Sequence, residues 1–152
     1  MSIASILIGY LALKSQQRHH RLSVKPIAHI HFITAKNRVE IEIRNDGVGP
    51  MICSNVRVYQ DRSNPETNFR DAIQILQDSQ YYVEWYGAKS EFAIRPGDQK
   101  SILRVYSDKV DPEYLKYRHE VLEEIQKFTL ELDYRDIYDR YLGTLSRDSW
   151  SR

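Results

Sequence analysis

The sequence predicts a mainly β chain, an antiparallel β-sandwich with two short inserted helices and an apolar helix at its amino-terminal end. Three observations carry that expectation. From Pro26 onward the prevailing hydrophobic period is two, the mark of strands with one buried face. Turn signals interrupt that pattern about every ten residues, as in a two-sheet architecture. The residues before Lys14 lack a polar face altogether. With 152 residues there is room for one globular unit, and 41% hydrophobic with 28% charged residues excludes a disordered or collagen-like chain. The one cysteine, Cys53, excludes an internal disulfide framework and a cysteine-cluster zinc site, and is compatible with a reducing compartment.

The first element is the run Ile3 to Leu13, in which Ile3, Ile6, Leu7, Ile8, Leu11 and Leu13 point to every side of a helix. Such a segment needs protein core or lipid around it. Roughly 13 residues at about 1.5 Å each give about 20 Å, short of the roughly 30 Å hydrocarbon core of a bilayer. Lys14, Arg18 and Arg21 follow, with His19 and His20 between them. Residues 1–25 carry four basic residues and no acid, so the remainder is 18 − 21 = −3. A cleaved signal peptide fits poorly, because no basic residue precedes the run and Leu13-Lys14-Ser15 lacks small residues at a cleavage site. The expected organisation is a membrane anchor with a basic flank over 1–20, a sandwich domain over 21–146 and a tail over 147–152. The competing expectation is a helix docked on the domain or paired with copies of itself. As an anchor, the basic flank places the domain in the cytoplasm.

Ala28, Ile30 and Phe32 alternate with His29 and His31, and Val39, Ile41 and Ile43 alternate with Glu40, Glu42 and Arg44, predicting two strands joined by a turn at Ala35-Lys36-Asn37. Asn45-Asp46-Gly47-Val48-Gly49-Pro50 predicts a turn whose glycines supply positive φ. A third strand follows, with Ile52, Ser54, Val56 and Val58 expected on one face. After a polar loop over 61–67, Phe69, Ala72, Ile73 and Leu76 recur at helical spacing, with Thr67 or Asn68 as cap. Tyr81, Val83 and Trp85 return to strand spacing, and Arg95-Pro96-Gly97-Asp98 turns into a strand around Ser101 to Tyr106. Asp111-Pro112-Glu113 sets cap, N1 proline and first-turn acid in order for a helix of roughly 14 residues, with Leu115, Leu122 and Ile125 as its apolar face. Phe128 to Tyr134 is the clearest late strand, returned by Tyr138 to Leu145. About seven short strands of this kind predict a sandwich that is immunoglobulin-like in broad architecture, without the Cys-Trp-Cys set of an antibody domain.

In three segments, Arg21 to Pro26, Asn45 to Pro50 with its Asn-x-Gly-x-Gly-Pro turn, and Tyr134-Arg135-Asp136-Ile137-Tyr138, the chain resembles a loose group of small uncharacterised bacterial proteins. The resemblance implies an amino-terminal membrane helix, a basic stop and a β-sandwich; with the orientation of the basic flank, the expected location is the bacterial inner membrane with the domain facing the cytoplasm. It bears on architecture rather than activity. The chain departs from that pattern in its shorter helix, in Met51 after the proline, and in Asp139 where a glycine would ease the last turn.

His29 and His31 share a strand face at a spacing that suits zinc or copper, with Glu40 or Glu42 as the third ligand across the hairpin. The plainer reading is a polar outer face, and no metal or other cofactor is expected. Asp133, Asp136 and Asp139 are expected to serve the turn rather than a cation. Tyr81, Tyr82, Trp85 and Tyr86 are the densest aromatic cluster and the candidate binding surface. Near-neutral charge argues against nucleic acid, and the basic flank suits anionic lipid better. Cys53 is expected to be a buried filler. With no nucleophile-elbow, phosphate-loop or metalloprotease motif present, catalysis is not expected. The expected function is a non-enzymatic, membrane-anchored module that binds a protein partner. The alternative is a membrane-acting effector or ligand sensor, of stress or phage-defence type, that forms homo-oligomers through its first helix.

Overall fold

The computed structural model of the chain describes residues 3–60, 69–77, 79–86 and 90–147. The polar loop over 61–67, the expected helix cap at Thr67 or Asn68, and residues 148–152 of the tail lie outside them. Helix α1 covers Ile3–Ser23 and is followed by β1 (Ala28–Ala35), β2 (Arg38–Asn45) and β3 (Met51–Tyr59). Two four-residue helices come next, α2 (Phe69–Ala72) and α3 (Gln74–Gln77), then β4 (Tyr82–Trp85), β5 (Phe92–Ile94) and β6 (Gln99–Tyr106). Helix α4 (Pro112–Ile125) leads into β7 (Thr129–Arg135) and β8 (Tyr141–Arg147).

The strands form two antiparallel four-stranded sheets, ordered β1-β2-β6-β4 and β5-β3-β7-β8. Both contribute to one core, with Ile41, Ile43 and Leu103 from the first and Met51, Val58, Leu130 and Leu132 from the second all fully buried. The molecule is therefore a β-sandwich, and it has one strand more than the alternation predicts. Phe92–Ile94 is too short to show a period, and pairing of Met51 with Ile94 and Cys53 with Phe92 is what makes it a strand.

Strand β3 turns a different set of side chains inward from the expected one. A bulge between Cys53 and Asn55 reverses the alternation, so that Met51, Cys53, Val56 and Val58 are buried while Ile52 and Ser54 are only half-buried. The helix expected over 68–77 breaks at Ile73 into α2 and α3, and its apolar residues Phe69, Ile73 and Leu76 still reach the core.

Helix α4 starts as expected, with the Asp111 carboxylate accepting from the Tyr114 backbone N–H at 2.8 Å and Pro112 in its first turn. Its buried stripe is Tyr114, Val121 and Ile125, while Leu115 faces solvent. The Tyr114 ring buries more area than Leu115 could, and it sets the rotation of the helix on the core.

The Asn45–Pro50 turn works by close approach and not by positive φ. Among the described residues positive φ occurs at Gly97, Gly143 and Asp139, and not at Gly47 or Gly49. A Cβ on Gly47 would stand 2.4 Å from the Ile27 nitrogen, and one on Gly49 would overlap the Val24 carbonyl. Asn45, fully buried, accepts from the N–H groups of Ile27 (3.2 Å) and Gly47 (3.0 Å) and donates to the carbonyls of Gly49 (2.8 Å) and Ile94 (3.1 Å). Asp46 N–H donates to the Ile27 carbonyl and Val48 N–H to the Lys25 carbonyl. The segment leaving α1 is thus strapped across the turn before it enters β1.

Candidate functional site

Helix α1 continues through the basic residues to Ser23, whose hydroxyl donates back to the His19 carbonyl at 2.7 Å. Pro26 then excludes helical backbone at Lys25 and the chain turns into β1. Ile3, Ile6, Leu7, Ile8, Tyr10, Leu11 and Leu13 are each 55% to 86% exposed, so they do not pack on the sandwich. Lys14, directly after Leu13, and Arg18, one turn further on, are exposed, and Arg21 lies in the last turn. Among the described residues no helix is long and apolar enough to cross a membrane.

The four aromatic candidates separate into distinct neighbourhoods. Tyr81 is half-buried and meets two rings of α4, Tyr114 edge-on at 5.1 Å and Tyr117 tilted by 40° at 4.9 Å. Tyr82 stacks on Tyr106 at 4.9 Å on the outer face of its sheet and stays 56% exposed. Trp85 pairs in register with Leu103 and is 40% exposed, while Tyr86 meets the edge of Phe92 at 4.8 Å with Lys100 Nζ over its ring. Strand β4 carries Tyr82 and Trp85 at the end of the strand order, and among the described residues its only partner is β6. The end of a sheet is where a further strand can add.

Sequence reasoning missed a second concave feature, a groove of about 910 Å³ between α3 and α4. Ile75, Tyr81 and Tyr117 line it together with Glu113, Glu120 and Glu123. These residues lie on different elements, and their spacing carries no sign that they meet. Along α4, Lys116 lies 3.9 Å from Glu120 and His119 lies 3.2 Å from Glu123.

His29 and His31 share one face, but neither expected third ligand joins them. Glu40 is 2% exposed and receives both Arg104 Nε (3.0 Å) and Nη2 (2.7 Å), which holds it on the neighbouring strand. Glu42, in register with His31, is also buried. The carboxylate that arrives is Asp46, from the turn after β2: His29 Nδ1 lies 2.5 Å from Asp46 Oδ2, and one donor atom from each of His29, His31 and Asp46 falls within 4.8 Å of the others. Its hydrogen bond to His29 lowers the Asp46 pKa below the usual carboxylate value, and the Arg44 charge beside it acts in the same direction. Its position beside the Asn-x-Gly-x-Gly-Pro asparagine was the available clue.

The three aspartates of the β7 region are occupied by the fold. Asp133 accepts from Arg57, Asn55 and Thr144, Asp136 accepts from the N–H groups of Tyr138 and Arg140, and Asp139 pairs with Arg135. Cys53 is buried and desolvation pushes its thiol pKa up to about 12, far from a working nucleophile.

Comparison of the chain with family models, with curated proteins and with solved structures finds no match.

Proposed function

We propose that the protein is a non-enzymatic membrane-attached interaction module, in which α1 inserts its apolar half into a bilayer and the sandwich binds a protein partner. The observation that supports this reading most is the exposure of every large apolar side chain from Ile3 to Leu13, which is not offset by packing on the domain. About 20 Å of apolar helix reaches well into one leaflet and beyond, and Lys14 and Arg18 then fall at the level of anionic headgroups. On this reading the sandwich lies on the cytoplasmic face of a bacterial inner membrane, and the two-sheet arrangement is an immunoglobulin-like variant. The partner adds a strand to β4, with Tyr82 and Trp85 giving side-chain contacts.

The test has two arms. The full chain, expressed in bacteria, is expected to sediment with membranes and to be released when Ile6 and Leu7 are both replaced by glutamate. A photo-crosslinking residue at position 85 is expected to trap one reproducible partner, and introducing Trp85→Lys beside a crosslinker at position 82 to abolish it. Retention of the doubly charged variant on membranes sinks the attachment, and crosslinking indifferent to Trp85→Lys sinks the β4 surface.

The shortness of the apolar run supports a second reading, an effector whose helices associate in the bilayer, because hydrophobic mismatch favours association. Recovery of the chain in large homo-oligomers, with growth arrest on overexpression, would favour it over the adaptor.

A further inference from the structure

We infer that His29, His31 and Asp46 form a binding site for one borderline transition-metal dication of the zinc class, set at the junction between α1 and the sandwich. The inference stands on geometry and is independent of membrane attachment.

Strand periodicity puts His29 and His31 on the same face of β1, and Asp46 reaches that face from the turn after β2 because Ala28 and Asn45 are register partners. The turn is not free to drift. Asn45 staples it with four side-chain hydrogen bonds, and the Asp46 N–H is itself held on the Ile27 carbonyl at 2.8 Å. Asp46 divides its two oxygens, with Oδ1 at 2.6 Å from Arg44 Nε and Oδ2 toward His29. A ligating carboxylate oriented by a second group is the usual arrangement around a bound metal.

The three donors lie within 4.8 Å of one another. Tetrahedral coordination with bonds of about 2.0 to 2.1 Å requires donors about 3.3 Å apart. Rotation of the side chains meets that spacing: His29 Nδ1 and Asp46 Oδ2, 2.5 Å apart, open to it as the metal replaces their shared proton, and His31 closes to it, with His29 54% exposed and the two rings tilted by 57° rather than stacked. A hydrogen bond accounts for His29 with Asp46, and strand alternation brings the second imidazole, His31, to the same face within reach of both. Two imidazoles and one carboxylate suit zinc, copper or nickel better than the hard cations calcium and magnesium. The same histidines line a cleft of about 510 Å³ between β1 and β8, whose wall includes Arg147, held on the Ile30 carbonyl. The fourth coordination position opens on this cleft and takes water or an anionic group. Arg44, with its fixed positive charge, opposes the cation and makes the site a moderate rather than an extreme binder.

The experiment titrates the full chain in detergent micelles with Co²⁺, read by visible ligand-field absorption, and then displaces it with Zn²⁺. One Co²⁺ per chain is expected, with a rise in Tm. His31→Ala and Asp46→Asn, both changes outside the core, are each expected to weaken binding by at least about tenfold; His31→Ala leaves the metal-free Tm unchanged, whereas Asp46→Asn lowers it slightly through loss of the pairs with His29 and Arg44. His119→Ala and the double change His19→Ala with His20→Ala are expected to bind as the parent does. Absence of saturable binding overturns the site. So does unaltered affinity in either His31→Ala or Asp46→Asn, or loss of binding in the His19/His20 variant.

Discussion

A side-chain carbon placed on Gly49 would lie 1.6 Å from the carbonyl oxygen of Val24, far inside the 3.0 Å below which a Cβ is essentially never found from a non-bonded atom. The two residues are 25 positions apart in sequence, 49 − 24, and their contact joins the exit of α1 to the turn between the two sheets. Any force on α1 therefore reaches the sandwich through backbone already strapped by hydrogen bonds from Asn45, Asp46 and Val48.

Gly49→Ala is expected to destabilise the domain by about 3 kcal/mol or more, since the clash is with backbone and no side chain can swing away. Gly9→Ala is the matched control. Nothing lies within 4 Å of that position, and the substitution should strengthen α1 by about 0.5 to 1 kcal/mol at most. Urea denaturation followed by tryptophan fluorescence distinguishes the two, and a wild-type midpoint for Gly49→Ala would refute the strap.

Cys53 is 1% exposed, with a thiol pKa pushed up to about 12 by desolvation. The buried thiol keeps its proton at pH 8 and is shielded from reagent, so alkylation should be limited by opening of the sandwich. Iodoacetamide is expected to label the native chain slowly, at a rate that rises with urea in parallel with unfolding. Rapid labelling of the native protein would contradict the burial.

Elements governed by local rules were legible in the sequence. The β1–β2 hairpin follows from alternation, and the start of α4 from Asp111-Pro112-Glu113, because each depends on residues near one another in the chain. What long-range packing decides was not. The bulge at Cys53–Asn55 exists only against β7, and β5 only against β3. The turn glycines looked like suppliers of positive φ because the segment crossing them, Val24 to Ile27, is remote in the sequence. The same blindness assigned Glu40 or Glu42 to the histidines: their alternation is right for the outer face, but Arg104 from β6 claims Glu40, and Asp46 occupies the position beside His29.

Asp133 sits 14% exposed beneath Arg57, which donates to Oδ2 at 2.7 Å, while Thr144 donates to Oδ1. The Arg57 hydrogen bond is the main reason its carboxyl pKa falls below the ordinary 3.8. A lowered folded-state value means stability that is present above 3.8 and is lost as pH falls through the folded-state value. Asp133→Asn should cost about 2 kcal/mol at neutral pH. The difference from the parent should shrink as the pH drops below 3.8. Denaturation midpoints of both proteins across the acid range test it, and a constant difference would show that the ion pair is not its origin.

Asp139 is the only non-glycine residue with positive φ, at 63°, among the described residues. It closes the β7–β8 turn, where its N–H donates to the Asp136 carbonyl at 3.1 Å and the Asp136 N–H donates to the Arg140 carbonyl at 3.2 Å. Left-handed backbone costs an L-residue about 1 to 2 kcal/mol, somewhat less for aspartate. Against this stands the ion pair of Asp139 with Arg135 at 2.8 Å, on a carboxylate that is 77% exposed, so its contribution is small. Arg135 also keeps Glu91 at 2.6 Å when Asp139 is gone. Asp139→Gly is therefore expected to stabilise the sandwich by up to about 1 kcal/mol, whereas Asp139→Val, β-branched at the same φ, should destabilise it by more than that. Thermal melts of the two variants give opposite signs if the turn geometry is right. A loss of stability in Asp139→Gly would mean that the Arg135 pair outweighs the strain.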